Sequence, residues 1–146
     1  MITESSIRTI EPNIYVVDIS GRLHLGNTLL SLESSILQLI DNGARRLIIN
    51  LTDLNYIDSA GVGMLINCNG QMDLNKGMMR MAGAHGAVAT AFEILHIERV
   101  VALDADVDSA SAAFPNYNSE KWRRYRSPRH WPNRTASPKL KCRPLA

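Results

Sequence analysis

The segment from Leu47 to Met64, LIINLTDLNYIDSAGVGM, leaves a chain few ways to fold. It opens on Leu47-Ile48-Ile49-Asn50-Leu51, a dense apolar run without alternation. A strand with one wet face alternates apolar and polar residues. A continuous run belongs to a strand covered on both faces, the habit of parallel sheets flanked by helices. The segment closes on Asp58-Ser59-Ala60-Gly61, where the periodicity changes from strand-like to helical. A short hydroxyl is thereby placed at the first turn of a helix, just past a buried strand. Backbone N–H groups without helical partners surround such a position.

The flanking sequence builds outward from this pair of elements. Ile7 to Ile10 and Ile14 to Ile19 read as two strands joined at the turn dipeptide Pro12-Asn13, the second ending at Gly21. From Gly26, Leu29, Leu32, Ile36 and Leu39 recur at helical spacing with Ile40 beside them, and Asn42-Gly43 is a helix stop. After the buried strand at 47–51 comes a polar turn at Thr52-Asp53. Ser59 to about Leu74 is the second predicted helix, with Val62, Leu65, Ile66 and Met72 as its apolar face. Met78 to Ala82 is a strand whose methionines fill a core face. Val88, Ala91, Phe92 and Leu95 mark a third helix, Val100 to Leu103 a short strand, and Asp108 to Phe114 a last helix.

This order predicts a single α/β domain over residues 1–114. Its mixed sheet of four to five strands carries helices packed mainly on one face. About 110 residues can bury one modest core with little stability to spare.

The charge divides at the same boundary. Residues 1–114 hold 7 Lys and Arg against 13 Asp and Glu, while residues 115–146 hold 9 against 1. The overall charge of +2 therefore describes neither part, since an acidic domain at −6 precedes a tail at +8. The tail, with Lys121-Trp122-Arg123-Arg124-Tyr125-Arg126 and prolines at 128, 132, 138 and 144, has no helical or strand period and reads as a disordered basic extension. Its arginines and aromatic residues suit nucleic acid, an acidic partner or an anionic lipid surface, or no specific role. The acidic domain itself is not expected to bind nucleic acid.

Cys68 and Cys142 make no disulfide framework, and a reduced cytoplasmic setting fits them. The first twenty residues lack an export signal, and no stretch has the length of a membrane span. Cys68 has no metal-ligand companion at the usual spacing, so no metal or cofactor is expected, and it reads as a small buried hydrophobe. Ala82-Gly83-Ala84-His85-Gly86 has the small residues of a phosphate loop without the Walker lysine or the G-x-G-x-x-G spacing, and reads as a tight strand-to-helix connection.

Three chemistries suit a serine at a strand-to-helix turn. A hydrolase nucleophile elbow wants G-x-S-x-G, but Ile57 stands two residues before Ser59, and none of His24, His85, His96 and His130 has a partner motif. A plain helix cap, supplied by Asp58 or Ser59, would contribute roughly 1 kcal/mol. A phosphorylation switch would add roughly −1.5 to −2 charges at a helix N-terminus, which tolerates them locally.

The stretch Asn55-Tyr56-Ile57-Asp58-Ser59-Ala60-Gly61-Val62-Gly63 resembles the signature of STAS domains, specifically the bacterial anti-sigma factor antagonists. The resemblance covers about residues 5–114, with Gly21-Arg22-Leu23, Gly77 to Ala82, and Phe92-Glu93-Ile94-Leu95 before Val100-Val101 in the family's order. It implies that Ser59 is phosphorylated by an anti-sigma factor that is also a serine kinase. The unphosphorylated form binds that partner and frees a sigma factor for transcription, and a serine phosphatase resets the switch. ATP and magnesium would belong to the kinase, and the chain itself would be no enzyme.

The resemblance further implies that Asp58 positions Ser59 and caps the helix, and that Gly61 admits a partner backbone. Asp58, Ser59, Ala60 and Gly61, with Gly21, Arg22 and Leu23 toward Leu25 as a rim, would form the partner surface. Two departures stand out: Asn50 where the family often has an acid, and Ala60 where a second serine is common. The other role such a domain could take is a stand-alone scaffold subunit in a lipid-transport or stress-signalling complex.

Overall fold

A computed structural model describes residues 4–10 and 13–114. The tail and both of its predicted features, disorder and the basic-aromatic run, lie outside the described residues, as do Pro12 and Cys142.

The apolar run forms β3 (Arg46–Asn50), the central strand, with Leu47, Ile48 and Ile49 fully buried. It pairs in parallel with β2 (Ile14–Leu23) on one side and β5 (Met78–Ala82) on the other. Burial on both faces explains why its residues do not alternate. β1 (Glu4–Ile10) runs antiparallel along the outer edge of β2, from Glu4 opposite Ser20 to Ile10 opposite Ile14. β6 (Ala102–Asp104) closes the other edge in parallel with β5. The path is β1-β2-β3-β5-β6, a mixed sheet as expected.

A sixth strand was absent from the sequence reading. β4 (Leu54–Ile57) pairs only with β2, after a register shift at Gly21-Arg22. β2 consequently does not end at Gly21 but continues to Leu23. Tyr15 to Asp18 pair with β3, and Gly21 to Leu23 pair with β4. β4 escapes the alternation rule because its buried residues, Leu54 and Ile57, are three apart rather than two.

α1 (Asn27–Asp41) buries Leu29, Leu32, Ile36 and Ile40. α2 (Ser59–Leu74) begins at the expected residue but buries a different and wider arc: Gly61, Val62, Met64, Leu65, Cys68, Asn69 and Met72. Ile66, expected inside, is exposed. Asn69 is tolerated in this arc because its amide donates to the Val100 carbonyl at 3.1 Å. α3 (Gly86–Leu95) buries Val88 and Phe92 but leaves Leu95 in solvent, because the helix stops there and His96 turns into the left-handed region at φ 55°. The last strand and helix are displaced from their expected bounds to Ala102–Asp104 and, for α4, Val107–Ala113.

Two apolar clusters divide the sheet's faces. α1, α2 and α3 cover one face, meeting Val17, Ile19, Leu47, Ile49, Met79 and Met81. Among the described residues the opposite face carries α4 alone, with Ala110 and the following Phe114 against Ile14, Val16, Ile48 and Ala82. Met79 and Met81 fill the core as expected, and Cys68 is fully buried, with burial pushing its thiol up to about 12 and Glu33 adding to the effect. No helix among the described residues is long and apolar enough to cross a membrane.

Candidate functional site

The site grows from the end of β4. Asp58 is the last extended residue, at φ −106° and ψ −178°, and it is the helix cap. One carboxylate oxygen, Oδ1, accepts the Gly61 N–H at 2.9 Å. The other, Oδ2, accepts the Leu25 N–H at 3.1 Å. The Asp58 N–H donates to the Leu23 carbonyl at 3.1 Å. One side chain thus caps α2 and pins the loop that leaves β2. Burial pushes the Asp58 carboxyl up, but backbone N–H groups of Gly61, Leu25 and Ala60, with His24 nearby, outweigh it and hold its pKa below the usual value.

With Asp58 as the cap, Ser59 is released from that duty. It is the first residue of α2, it is exposed, and its hydroxyl has no hydrogen-bond partner among the described residues. A nucleophile or phosphoacceptor must present its oxygen in this way. Ala60 beside it is half-buried and packs on the core. Ser59 is therefore the sole hydroxyl in the Asp58–Gly61 turn.

Gly61 is buried, and the close approach it permits is internal. A Cβ there would stand 2.7 Å from Ile57 Cγ1 and 3.1 Å from the Leu23 carbonyl oxygen. The glycine lets α2 sit directly on the ends of β2 and β4, and this differs from the expected role of admitting a partner backbone. Of the Gly21-Arg22-Leu23 rim, Gly21 and Leu23 are also buried, and Arg22 alone reaches solvent. Its guanidinium stacks over Tyr56 at 4.2 Å from the ring centre, joining the ends of β2 and β4. Beyond the rim, Leu25 is 69% exposed, a large apolar side chain held in place by the Asp58 bond to its backbone. The accessible group at this turn is accordingly Ser59, Arg22, His24 and Leu25.

Asn50, where an acid was the family's habit, works elsewhere. Its amide donates to Asp18 at 2.6 Å, and its oxygen accepts from the Thr52 N–H and hydroxyl at 3.2 and 2.7 Å. It therefore ties β2 to the turn after β3. The neighbouring Gly83 to Gly86 connection holds no phosphate-loop geometry. Gly83, at φ +81°, lies against Thr52, and His85 Nε2 meets the Thr52 carbonyl at 2.7 Å. The Asp58–Leu25 and His85–Thr52 contacts each span 33 residues, and nothing in the local sequence announces either. No group of three metal-ligating side chains occurs among the described residues.

Comparison with solved structures finds this fold in several bacterial proteins. An anti-sigma factor antagonist from Mycobacterium paratuberculosis is 18% identical, with a TM-score of 0.68 over 77% of this chain and 93% of that one. The Bacillus cell fate determinant SpoIIAA, in its phosphorylated form, is 18% identical, with a TM-score of 0.60 over 75% and 97%. A sulfate transporter family protein from Wolinella succinogenes is 13% identical, with a TM-score of 0.59 over 72% and 87%. At these identities the likeness is one of fold, shared by a regulator and a transporter alike. The STAS domain profile matches residues 7–110, from β1 into α4 and across the Asp58-Ser59 turn, and the chain belongs to the STAS domain family.

Proposed function

We propose that this chain is an anti-sigma factor antagonist switched at Ser59. In this reading the unphosphorylated domain binds an anti-sigma factor that is also a serine kinase, sequesters it, and so releases a sigma factor for transcription. Phosphorylation of Ser59 ends the complex, and a serine phosphatase restores it. The domain is a kinase substrate and binding partner rather than an enzyme, and it works in the cytoplasm.

The observation that carries this reading is the division of labour at the turn. Asp58 satisfies the helix cap, which leaves the Ser59 hydroxyl exposed and without a hydrogen bond among the described residues. A phosphate there would bring roughly −1.5 to −2 charges beside an already ionised Asp58. The helix N-terminus tolerates that charge, so the fold need not change. A partner covering the turn would have to desolvate it. A cost of about 2.7 kcal/mol weakens binding roughly a hundredfold, which suffices for a switch without rearrangement. SpoIIAA, an anti-sigma factor antagonist known in unphosphorylated and phosphorylated forms, favours this reading over the scaffold one.

Ser59→Ala and Ser59→Asp proteins, used as paired baits in lysate of the source organism, test it. The alanine bait is expected to hold an anti-sigma factor that the aspartate bait loses. The captured protein, with ATP and magnesium, is expected to phosphorylate wild-type chain at Ser59. Identical partners on both baits would sink the switch and favour a scaffold subunit.

A further inference from the structure

The face of the sheet opposite the switch turn is only partly covered. α4 and Phe114 cover Ile14 and Val16 at the start of β2, while among the described residues the corner formed by Glu4, Ser6, Asp18 and Ser20 stays accessible. A depression of about 240 Å³ opens there, with Glu4, Ser6, Asp18, Ser20, Asn50 and Asp53 along it. Arg8 lies across the same strands, paired with Asp18 at 2.7 Å and within the field of Asp108 on α4. Around this depression Glu4, Asp18 and Asp53 outnumber Arg8, so the corner is net negative.

We propose that residues 121–126, Lys-Trp-Arg-Arg-Tyr-Arg, dock on this acidic face of their own chain. Three observations carry the assignment. The first is charge: a domain at −6 is tethered to a tail at +8, and four of the tail's nine cations fall within these six residues. The second is the point of departure. Phe114, the last described residue, is buried against the cluster that includes Ile14 and Val16, at the start of β2. Phe114 therefore lies on the same face of the sheet as the acidic corner, toward the other end of β2 from Ser20. The third is reach. Residues 115–120 span roughly 20 Å when extended. The six strand steps from Ile14 to Ser20 cover a similar distance.

That reach is long enough to bring Lys121 to Arg126 to Asp18, Glu4 and Asp53. Tethering raises the local concentration of the basic segment to roughly the millimolar range, which favours the intramolecular contact over a free polyanion. The contact consists of exposed charge pairs, so it weakens as salt shortens the screening length from about 10 Å at 0.1 M.

A spin label placed just beyond the segment reads the contact in the full chain. Ser127→Cys with Cys142→Ser supplies one reactive thiol, since Cys68 is buried with its thiol raised to about 12. The amide signals of Ser6, Ser20 and Asp53 are expected to be lost, those of α1 and α2 to persist, and the lost signals to return at high salt. Replacing Lys121, Arg123, Arg124 and Arg126 by glutamate is expected to restore them at low salt, without touching the folded domain. Uniform loss, loss centred on α2, or loss that disappears on dilution would overturn the proposal. Trp122 and Trp131 are the only tryptophans, so fluorescence reads the tail alone. Unperturbed domain amides, together with tryptophan quenching by an added oligonucleotide, would overturn it in favour of a nucleic-acid arm.

Discussion

Two strand-to-helix turns stand at the same end of the sheet and are built on opposite principles. The turn from β4 to α2 is closed by a side chain: the Asp58 carboxylate caps the helix and leaves Ser59 exposed, with no bond to its hydroxyl among the described residues. The turn from β5 to α3 has no side-chain cap, and is closed by backbone proximity, with Gly83 against Thr52 and His85 on the Thr52 carbonyl. The first presents a group to solvent, and the second braces one loop against another. A presenting turn tolerates change at its outer residue, whereas a bracing turn tolerates none at its contact.

The largest expected effect breaks the bracing turn. Gly83→Ala forces a side chain into the positive-φ region and against the Thr52 backbone, where a Cβ would meet Cα and N at 3.0 Å. Strain and overpacking together should cost about 3 kcal/mol, read as a fall in Tm of more than about 10 °C. An unchanged Tm would mean that the loops do not brace one another.

A smaller loss is expected at the presenting turn's inner residue. Asp58→Ala should cost about 1 kcal/mol, the usual value of a cap. Because the folded pKa of Asp58 lies below its ordinary value, its contribution is complete above about pH 4 and is lost as pH falls through the folded pKa. The gap in denaturation midpoint between wild type and Asp58→Ala should therefore narrow in acid. A constant gap would assign the cost to something other than the carboxylate.

The smallest effect sharpens the comparison most. Ser59→Ala should leave stability within about 0.5 kcal/mol, since the hydroxyl is exposed and bonds to nothing described. A larger loss, measured by denaturant unfolding, would make Ser59 structural and dissolve the distinction between the two turns.

Much of this architecture was legible in the residues. The start of α2 at Ser59 was readable because the periodicity changes there, and β3 because its apolar residues do not alternate. β4 was not, since Leu54 and Ile57 are buried at a spacing of three in a four-residue strand that pairs once. Val62, Leu65 and Met72 were placed correctly on α2. Met64, Cys68 and Asn69 widen its buried arc beyond what a single stripe predicts, because it lies between α1, α3 and the sheet.

At the site, Asp58 and Ser59 were visible as a pair; the local residues left open which of them caps, and the family resemblance pointed to Asp58, which is the cap. That choice depends on the backbone of Gly61 and on Leu25, far back in the chain. The role of Gly61 was misread for a related reason. Its crowding comes from Leu23 and Ile57, which local sequence does not place above it.

The division of β2 between two partners has a consequence for motion. β3 is hydrogen-bonded along both edges, to β2 and β5, so its amides are released from exchange with solvent only when the sheet itself comes apart. β4 is held in the ladder by the last three residues of β2 alone. The amides of Leu54 to Ile57, paired along one edge, are expected to exchange sooner than those of β3. The backbone that leads to Ser59 thus hangs by one edge from the end of a strand whose first part is paired on both sides.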